Sequence, residues 1–353
     1  MNLASCLDPD SRTMLDDSIA RYASGGAAPS WEALATNGWL GLALSEQHGG
    51  YGATIGDLVA LLRIAGAHGW RLPLLQCLGE ACGALLALPP GEVRDCLLSR
   101  VAAGEAVIGL CAMEGESAPA LADQEHRLTG TCRFLIGGGR WDHVLVEAHL
   151  RGRPRNGLFV VDGWAPQLRR HDIVAIDGSD AVDLELNGVA ATLLGDAGPA
   201  LAGARHRATI LAAAETLGLA GAALDATCAH LAGRRQFGQA IIRFQAIRHR
   251  LVELHIMKQE LQAMLAAACA AYDETRPGLD EMLWRLRAQS ARAALFVTSE
   301  AIQLHGGMGM TSELDIGGHY KRALLLDGLF GSVRDAVGVL AFALPVPDQG
   351  PTA

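Results

Sequence analysis

Arg234-Arg235-Gln236-Phe237-Gly238, followed by Gln239-Ala240-Ile241-Ile242-Arg243-Phe244-Gln245, and later Gln303-Leu304-His305-Gly306-Gly307-Met308-Gly309, are the stretches that decide the fold. Both close a long run of helical periodicity. An arginine pair suits a helix C-terminus, because cations meet the negative end of the macrodipole there. A guanidinium also offers phosphate oxygens a fork of donors. The glycine pair lets backbone approach a bulky ligand closely, and its amides can donate to phosphate. Taken singly, each stretch reads equally well as a plain helix-ending loop.

The segments around them are helical. In 246–265, Ile247, Leu251, Leu254, Met257, Leu261 and Met264 step by three or four, which predicts one continuous buried stripe. A further helix is expected over about 280–304. Another begins after Thr311 and runs through Leu324-Leu325-Leu326 towards Leu340. Four long helices with short links imply a bundle over 198–353.

Residues 1–103 also read as helix, with Leu58, Leu61, Leu62 and Ile64, then Leu85, Leu86 and Leu88, at helical intervals. Glycine-rich breaks fall at His48-Gly49-Gly50-Tyr51-Gly52 and Leu88-Pro89-Pro90-Gly91. Between the helical regions, 104–197 is turn-punctuated and β-branched. Val107-Ile108-Gly109-Leu110, His143-Val144-Leu145-Val146-Glu147 and Leu158-Phe159-Val160-Val161 predict a small antiparallel β domain. The fold class is therefore α+β, in the order helical, β, helical.

Composition narrows the function. Of 353 residues, 50% are apolar, 19% charged and 5% aromatic, so the chain can bury a core. A net charge of −9 without a basic block argues against nucleic acid. No apolar run approaches the roughly 18–20 residues of a membrane span. The start, MNLASCLDPD, lacks the pattern of a signal peptide, and a cytoplasmic location is expected. The eight cysteines form no Cys-x-x-Cys pair and read as buried hydrophobes, with no disulfide and no metal site expected. His68, His126, His143, His171, His230 and His249 show no metal spacing. His206 and Arg207 read as surface charge rather than as contacts for acyl-CoA phosphates.

The two motifs, their order and the α, β, α layout together resemble the acyl-CoA dehydrogenases. The resemblance implies FAD as cofactor and α,β-desaturation of an acyl-CoA thioester. By position, Arg234 matches the arginine on the FAD pyrophosphate, Phe237 the aromatic ring beside the cofactor, and Gln245 a further hydrogen-bonding glutamine. Gln303, Gly306 and Gly307 match the loop touching the adenosine side. In the family, both motifs reach across to a neighbouring subunit's FAD. Asn37-Gly38-Trp39-Leu40-Gly41-Leu42, with the His48–Gly52 turn, resembles an early structural turn of the family.

The chain then departs from the family. Desaturation needs a carboxylate base within reach of the α proton. Phe330 stands where the usual glutamate falls, eight residues beyond Arg322 of Lys321-Arg322-Ala323, itself in place of Arg-Asp-Ala. The alternative base position reads Ala208. Asp327, one turn before Phe330, and Glu215 are the fallback candidates. Met113-Glu114-Gly115-Glu116-Ser117-Ala118-Pro119 keeps only the glutamate of the family's Thr-Glu-Pro and Gly-Ser-Asp patterns. Cys132-Arg133-Phe134-Leu135-Ile136 replaces a Lys-x-Trp-Ile-Thr pattern, so Ile136 lacks the hydroxyl expected beside the flavin ring.

The residues offered across an interface are kept, and those doing chemistry in cis are lost. This resembles the base-lacking partner of heteromeric sterol or bile-acid side-chain enzymes. The implied assembly is an α2β2 tetramer with a second, base-bearing chain, an acyl-CoA substrate, and electron-transfer flavoprotein or a similar acceptor. Two alternatives stand beside it: an active homo-oligomer with a displaced base, and a flavin-free scaffold or CoA-ester-binding pseudoenzyme.

Overall fold

The computed structural model describes residues 9–24, 28–111, 120–137, 140–150, 152–311, 314–329 and 333–343. Five α-helices come first: α1 (Pro9–Ser24), α2 (Trp31–Thr36), α3 (Ile55–Ala67), α4 (Cys82–Leu86) and α5 (Glu92–Ala102). A π-helical turn, Leu75–Ala81, runs directly into α4. α3 starts at a capping box, in which Thr54 and Asp57 satisfy each other's backbone N–H groups.

Seven strands follow: β1 (Ile108–Cys111), β2 (Ala120–Ala122), β3 (Arg127–Ile136), β4 (His143–Leu150), β5 (Asn156–Asp162), β6 (Leu168–Val174) and β7 (Asp180–Asp196). They pair in the order β1-β4-β2-β3-β7-β5, with β6 on β7 and β4 back on β5. The sheet is mixed, not purely antiparallel as expected, because β1 and β2 both run parallel to β4. The reason lies in β4's edge. β1 covers His143–Val146 and β2 covers Ala148–Leu150, end to end. Neither is joined to β4 by a hairpin, so neither is bound to oppose it.

The expectation of no disulfide fails. Cys111 on β1 and Cys132 on β3 are joined, with their Cα atoms 5.8 Å apart. Local spacing could not reveal this pair, because only strand packing brings the two residues together.

The second helical region comprises α6 (Ala197–Gly233), α7 (Gln245–Asp273), α8 (Leu279–His305), α9 (Ile316–Leu329) and α10 (Val333–Ala343). α8 packs against each of the other four. The last predicted helix is thus two helices, on either side of residues 330–332, which lie outside the described residues. The stripe of α7 points inward as expected, with Leu254, Met257 and Leu261 buried and Ile247, Leu251 and Met264 packed against the core.

α6 is the spine of the molecule. It meets α3, α4 and the sheet as well as the bundle. One 18-residue window of α6 is apolar enough for a membrane span, contrary to the sequence reading, but 89% of it is buried inside the protein. That is the environment of a core helix. α3 and α6 touch through glycines: a Cβ at Gly66 would collide with the Glu215 carbonyl, and one at Gly218 with the Arg63 carbonyl. One continuous apolar cluster joins all three regions, from Trp39 through Trp141 to Leu211 and Leu286.

Candidate functional site

α6 ends at Gly233, and Arg234 caps it with its N–H on the His230 carbonyl at 2.9 Å. The chain then turns back as a two-residue hairpin, β8 (Arg235–Gln236) against β9 (Gln239–Ala240). Its turn residues, Phe237 and Gly238, have φ of 51° and 80°, the signature of a type I′ turn. Glycine adopts this region freely, whereas phenylalanine is strained there at a cost of about 1–2 kcal/mol. The strained turn holds the Phe237 ring 91% exposed. Its one ring contact among the described residues is edge-to-face with Phe244, centroids 6.2 Å apart. Gln245 follows as the exposed first residue of α7.

The second motif meets the first. α8 ends at His305, and Gly306 takes φ 64° and ψ −140°, a conformation that excludes side chains. A Cβ there would lie 3.9 Å from Nη1 of Arg234, and one at Gly307 would meet nothing within 4 Å. Ala229, His230, Gly233, Arg234, Gly307 and Met308 line an open groove between the two helix ends. Gln303 is exposed in the last turn of α8. The structure therefore brings Arg234, Gly306 and Gly307 together and leaves Phe237, Gln245 and Gln303 facing outward.

The sequence reading passed over the wall of this groove. His230 and His305 stack with ring centroids 4.5 Å apart and an interplanar angle of 27°. His305 donates from Nδ1 to the Ala301 carbonyl at 2.8 Å. Nε2 of His230 is buried and has no protein partner. Burial, then the charges of His305 and Arg234, hold the His230 imidazole below its ordinary pKa. The available signal was one histidine in the last turn of each converging helix.

The opposite side of α9 faces the sheet. Ile136 is 3% exposed and clusters with Ala175, Ala181 and Leu325, backed by Ile173 and Leu329. Ile136 sits opposite Ala181 on β7, which sits opposite Ile173 on β6. Leu325 and Leu329, one turn apart on α9, close over them. Phe134, at the bulge before Leu135, has φ 57° and donates its N–H to the Asp183 carboxylate at 2.7 Å.

The candidate base positions are occupied in other ways. Ala208 is buried against the π-helical turn, where a Cβ on Gly79 would lie 3.2 Å from the Ala208 Cα. Glu215 is buried and receives the Nε–H of Arg322 at 2.6 Å. Arg322 also donates from Nη1 to Asp177 at 3.1 Å. Burial pushes the Asp177 carboxyl up, but the N–H and hydroxyl of Ser179, together with Arg322, hold it below its ordinary value. Asp327 is half-buried and faces the bundle interior, lining a small cavity with Thr209, Thr216, Arg287 and Ser290. Phe330 and Met113–Pro119 lie outside the described residues.

Arg207 is a further correction. It is 4% exposed rather than on the surface, and it donates to the carbonyls of Leu78 at 2.7 Å and Ala43 at 3.4 Å. α6 packs so closely on the π-helical turn that the guanidinium serves backbone carbonyls there. His206 pairs with Asp280 at 2.6 Å.

Comparison with known proteins agrees with this architecture. Residues 203–333 match the acyl-CoA dehydrogenase C-terminal domain. The acyl-CoA dehydrogenase FadE28 of Mycobacterium tuberculosis is 30% identical over 322 residues, covering 86% of this chain and 88% of FadE28. The acyl-CoA dehydrogenase IpdE2 of Mycolicibacterium smegmatis is 36% identical over 146 residues, covering 41% of this chain and 44% of IpdE2. Among solved structures, a variant of the Tcur3481–Tcur3483 steroid ACAD superposes with a TM-score of 0.85 at 27% identity, covering 94% of this chain and 97% of that one. The ChsE4–ChsE5 complex from Mycobacterium tuberculosis superposes at 0.84 with 22% identity, over 96% of this chain and 99% of that one. The chain belongs to the acyl-CoA dehydrogenase family, the FAD-dependent oxidoreductases that act on a CH–CH bond.

Proposed function

We propose that this chain is the partner subunit of a heteromeric acyl-CoA dehydrogenase, completing the FAD site of a second, base-bearing chain. The donor set of the groove suits a diphosphate: a guanidinium at Arg234, open backbone at Gly306 and Gly307, and an unpartnered imidazole nitrogen on His230. Phe237, held outward by its turn, packs beside the cofactor, and Gln245 and Gln303 add hydrogen bonds. When bound, FAD supplies the hydride acceptor of the reaction. The residues of this chain bind it, orient it and exclude water.

The observation that carries the reading is the apolar contact of Ile136 with Leu325 and Leu329. Ile136 stands where the family resemblance puts a hydroxyl beside the flavin ring, and this apolar cluster offers no hydrogen-bond donor. Ala208 carries no carboxylate, and Glu215 is bound to Arg322. The substrate class is an acyl-CoA with a steroid-derived or similarly bulky side chain, in line with the steroid enzymes among the structural neighbours. Electrons leave through an electron-transfer flavoprotein or a similar acceptor.

A second reading rests on Asp327, whose cavity contains hydroxyls and Arg287. A displaced base there would make the chain active by itself. Flavin content separates the readings. Purified alone, the chain is expected to be colourless and inactive with acyl-CoA esters. With its partner it should give a tetramer carrying about one FAD per pair of chains. Arg234→Ala should then weaken FAD retention about 10- to 150-fold, the loss of one charge-assisted hydrogen bond. Stoichiometric FAD and turnover in the lone chain would overturn the partner reading in favour of Asp327. A complex without flavin would leave only a scaffold role.

A further inference from the structure

The groove at the ends of α6 and α8 has a feature that the two motifs do not account for. A ring nitrogen of His230 is buried in its wall without a protein partner, and the ring is stacked on His305. An unsatisfied buried polar atom costs stability unless something in the working state satisfies it. Among the described residues, the lining of the groove holds no acid. Arg234, the C-cap of the same helix, and His305, on α8, are the groups whose charge acts on His230. The loop Gly306–Thr311 carries no titratable side chain.

We propose that His230 is a further binding residue of this groove, taking up a proton as the diphosphate seats. The inference rests on the partner reading above, and it adds a pH dependence to that site.

The electrostatic argument is direct. In the free chain, a proton on His230 would sit beside the Arg234 guanidinium and against a second imidazole, with Nε2 shut from solvent. Those effects lower the pKa of the ring and favour its neutral form. A diphosphate on Arg234 brings negative charge to the same wall. It reverses the sign of the local field and favours the charged imidazole, whose Nε2–H then becomes a donor. Binding and protonation are therefore linked, because a ligand that favours the protonated state must pull a proton on as it binds. The sign follows. The bound-state pKa lies above the free-state value, so affinity rises as pH falls between the two and levels off below the lower one. Each unit of separation gives about a tenfold change in affinity.

The test uses the assembled complex of this chain with its catalytic partner. FAD binding is measured by calorimetry in two buffers of different ionisation enthalpy, and FAD release by fluorescence between about pH 5.5 and 8.5. The expected result is net proton uptake on binding near neutral pH, and retention at least about tenfold tighter at the acid end. His230→Gln should abolish both while leaving the complex assembled. Proton uptake by the unaltered complex is a readout that does not depend on that variant folding. No proton uptake, or pH-independent retention that still fails in Arg234→Ala, would overturn the role of His230 and leave the partner reading intact. Retention unaffected by Arg234→Ala would remove the partner reading and this inference together.

Discussion

Arg322 donates its Nε–H to Glu215 at 2.6 Å, with both side chains almost fully buried, and so ties α9 to α6. The same guanidinium reaches Asp177 in the β6–β7 turn, so one cation straps the sheet to the bundle. The resemblance implies an aspartate at the position of Arg322, so the cation of this strap departs from the expected pattern. Removing one partner of a buried ion pair leaves uncompensated charge and typically costs about 3–5 kcal/mol. Arg322→Met should therefore lower stability by that amount in denaturant unfolding of the isolated chain. A loss below about 1 kcal/mol would place the network among exposed pairs.

Asp177 gives the strap a pH dependence. Its folded carboxyl lies below the ordinary value of 3.8, through Ser179 and Arg322 acting against burial. A depressed folded pKa contributes stability that is complete above the unfolded value and is lost as pH falls through the folded one. Unfolding midpoints measured between pH 6 and about 2 should fall with acid, and Asp177→Asn should flatten the part due to this residue. An identical acid limb in the variant would assign the loss to other carboxylates.

The helices were readable because periodicity is a local rule, and the two motifs because they match a family pattern. The stripe Leu254, Met257, Leu261 follows from periodicity, whereas Arg234 and Gly306 are singled out by the resemblance of their motifs to the family. The Cys111–Cys132 link, the parallel pairing of β1 and β2 with β4, and the burial of Arg207 depend on contacts between distant segments. The apolar closure over Ile136 was half visible. The missing hydroxyl could be read from the sequence, but not that Leu325 and Leu329 pack in the same apolar cluster.

Phe237 pairs a local cost with an outward ring. Asparagine tolerates positive φ, and Asn-Gly is the preferred type I′ pair. Phe237→Asn should raise the stability of the chain by about 0.5–1 kcal/mol and weaken FAD retention in the complex. Thermal melts and flavin release measure the two effects separately. Greater stability with unchanged retention would leave the exposed ring without a ligand.

The contact between α3 and α6 should be intolerant of any side chain. Within an exposed helix, Gly→Ala gains about 1 kcal/mol from helix propensity. At Gly218 the added methyl would meet the Arg63 carbonyl, and the helices would have to separate. Gly218→Ala is therefore expected to destabilise, by about 1–3 kcal/mol, as overpacking does. It should also loosen Glu215, less than one turn away on α6, and so weaken the strap. A stabilised variant in chemical unfolding would show that the helices part easily.

The last prediction concerns restoring a base. Ala208 is the family's alternative base position and is free of the ion pair that binds Glu215. Its surroundings are the π-helical turn Leu75–Ala81, which packs against the Ala208 backbone at Gly79. A glutamate there would be larger than the space and would have no cationic partner, since Arg207 is committed to backbone carbonyls. Burial without a partner disfavours the charged form and weakens folding. Ala208→Glu should therefore lower the melting temperature and create no acyl-CoA oxidation, alone or with the partner, because Ile136 still packs against Leu325. Ala208→Gln carries the same bulk without the charge. A smaller loss in Gln than in Glu at pH 7, converging at acid pH where the carboxyl protonates, would identify desolvated charge as the cause. Equal losses at every pH would assign the cost to volume. Turnover by Ala208→Glu alone would mean that this chain holds its own flavin and lacked only the base, and the partner reading would fall.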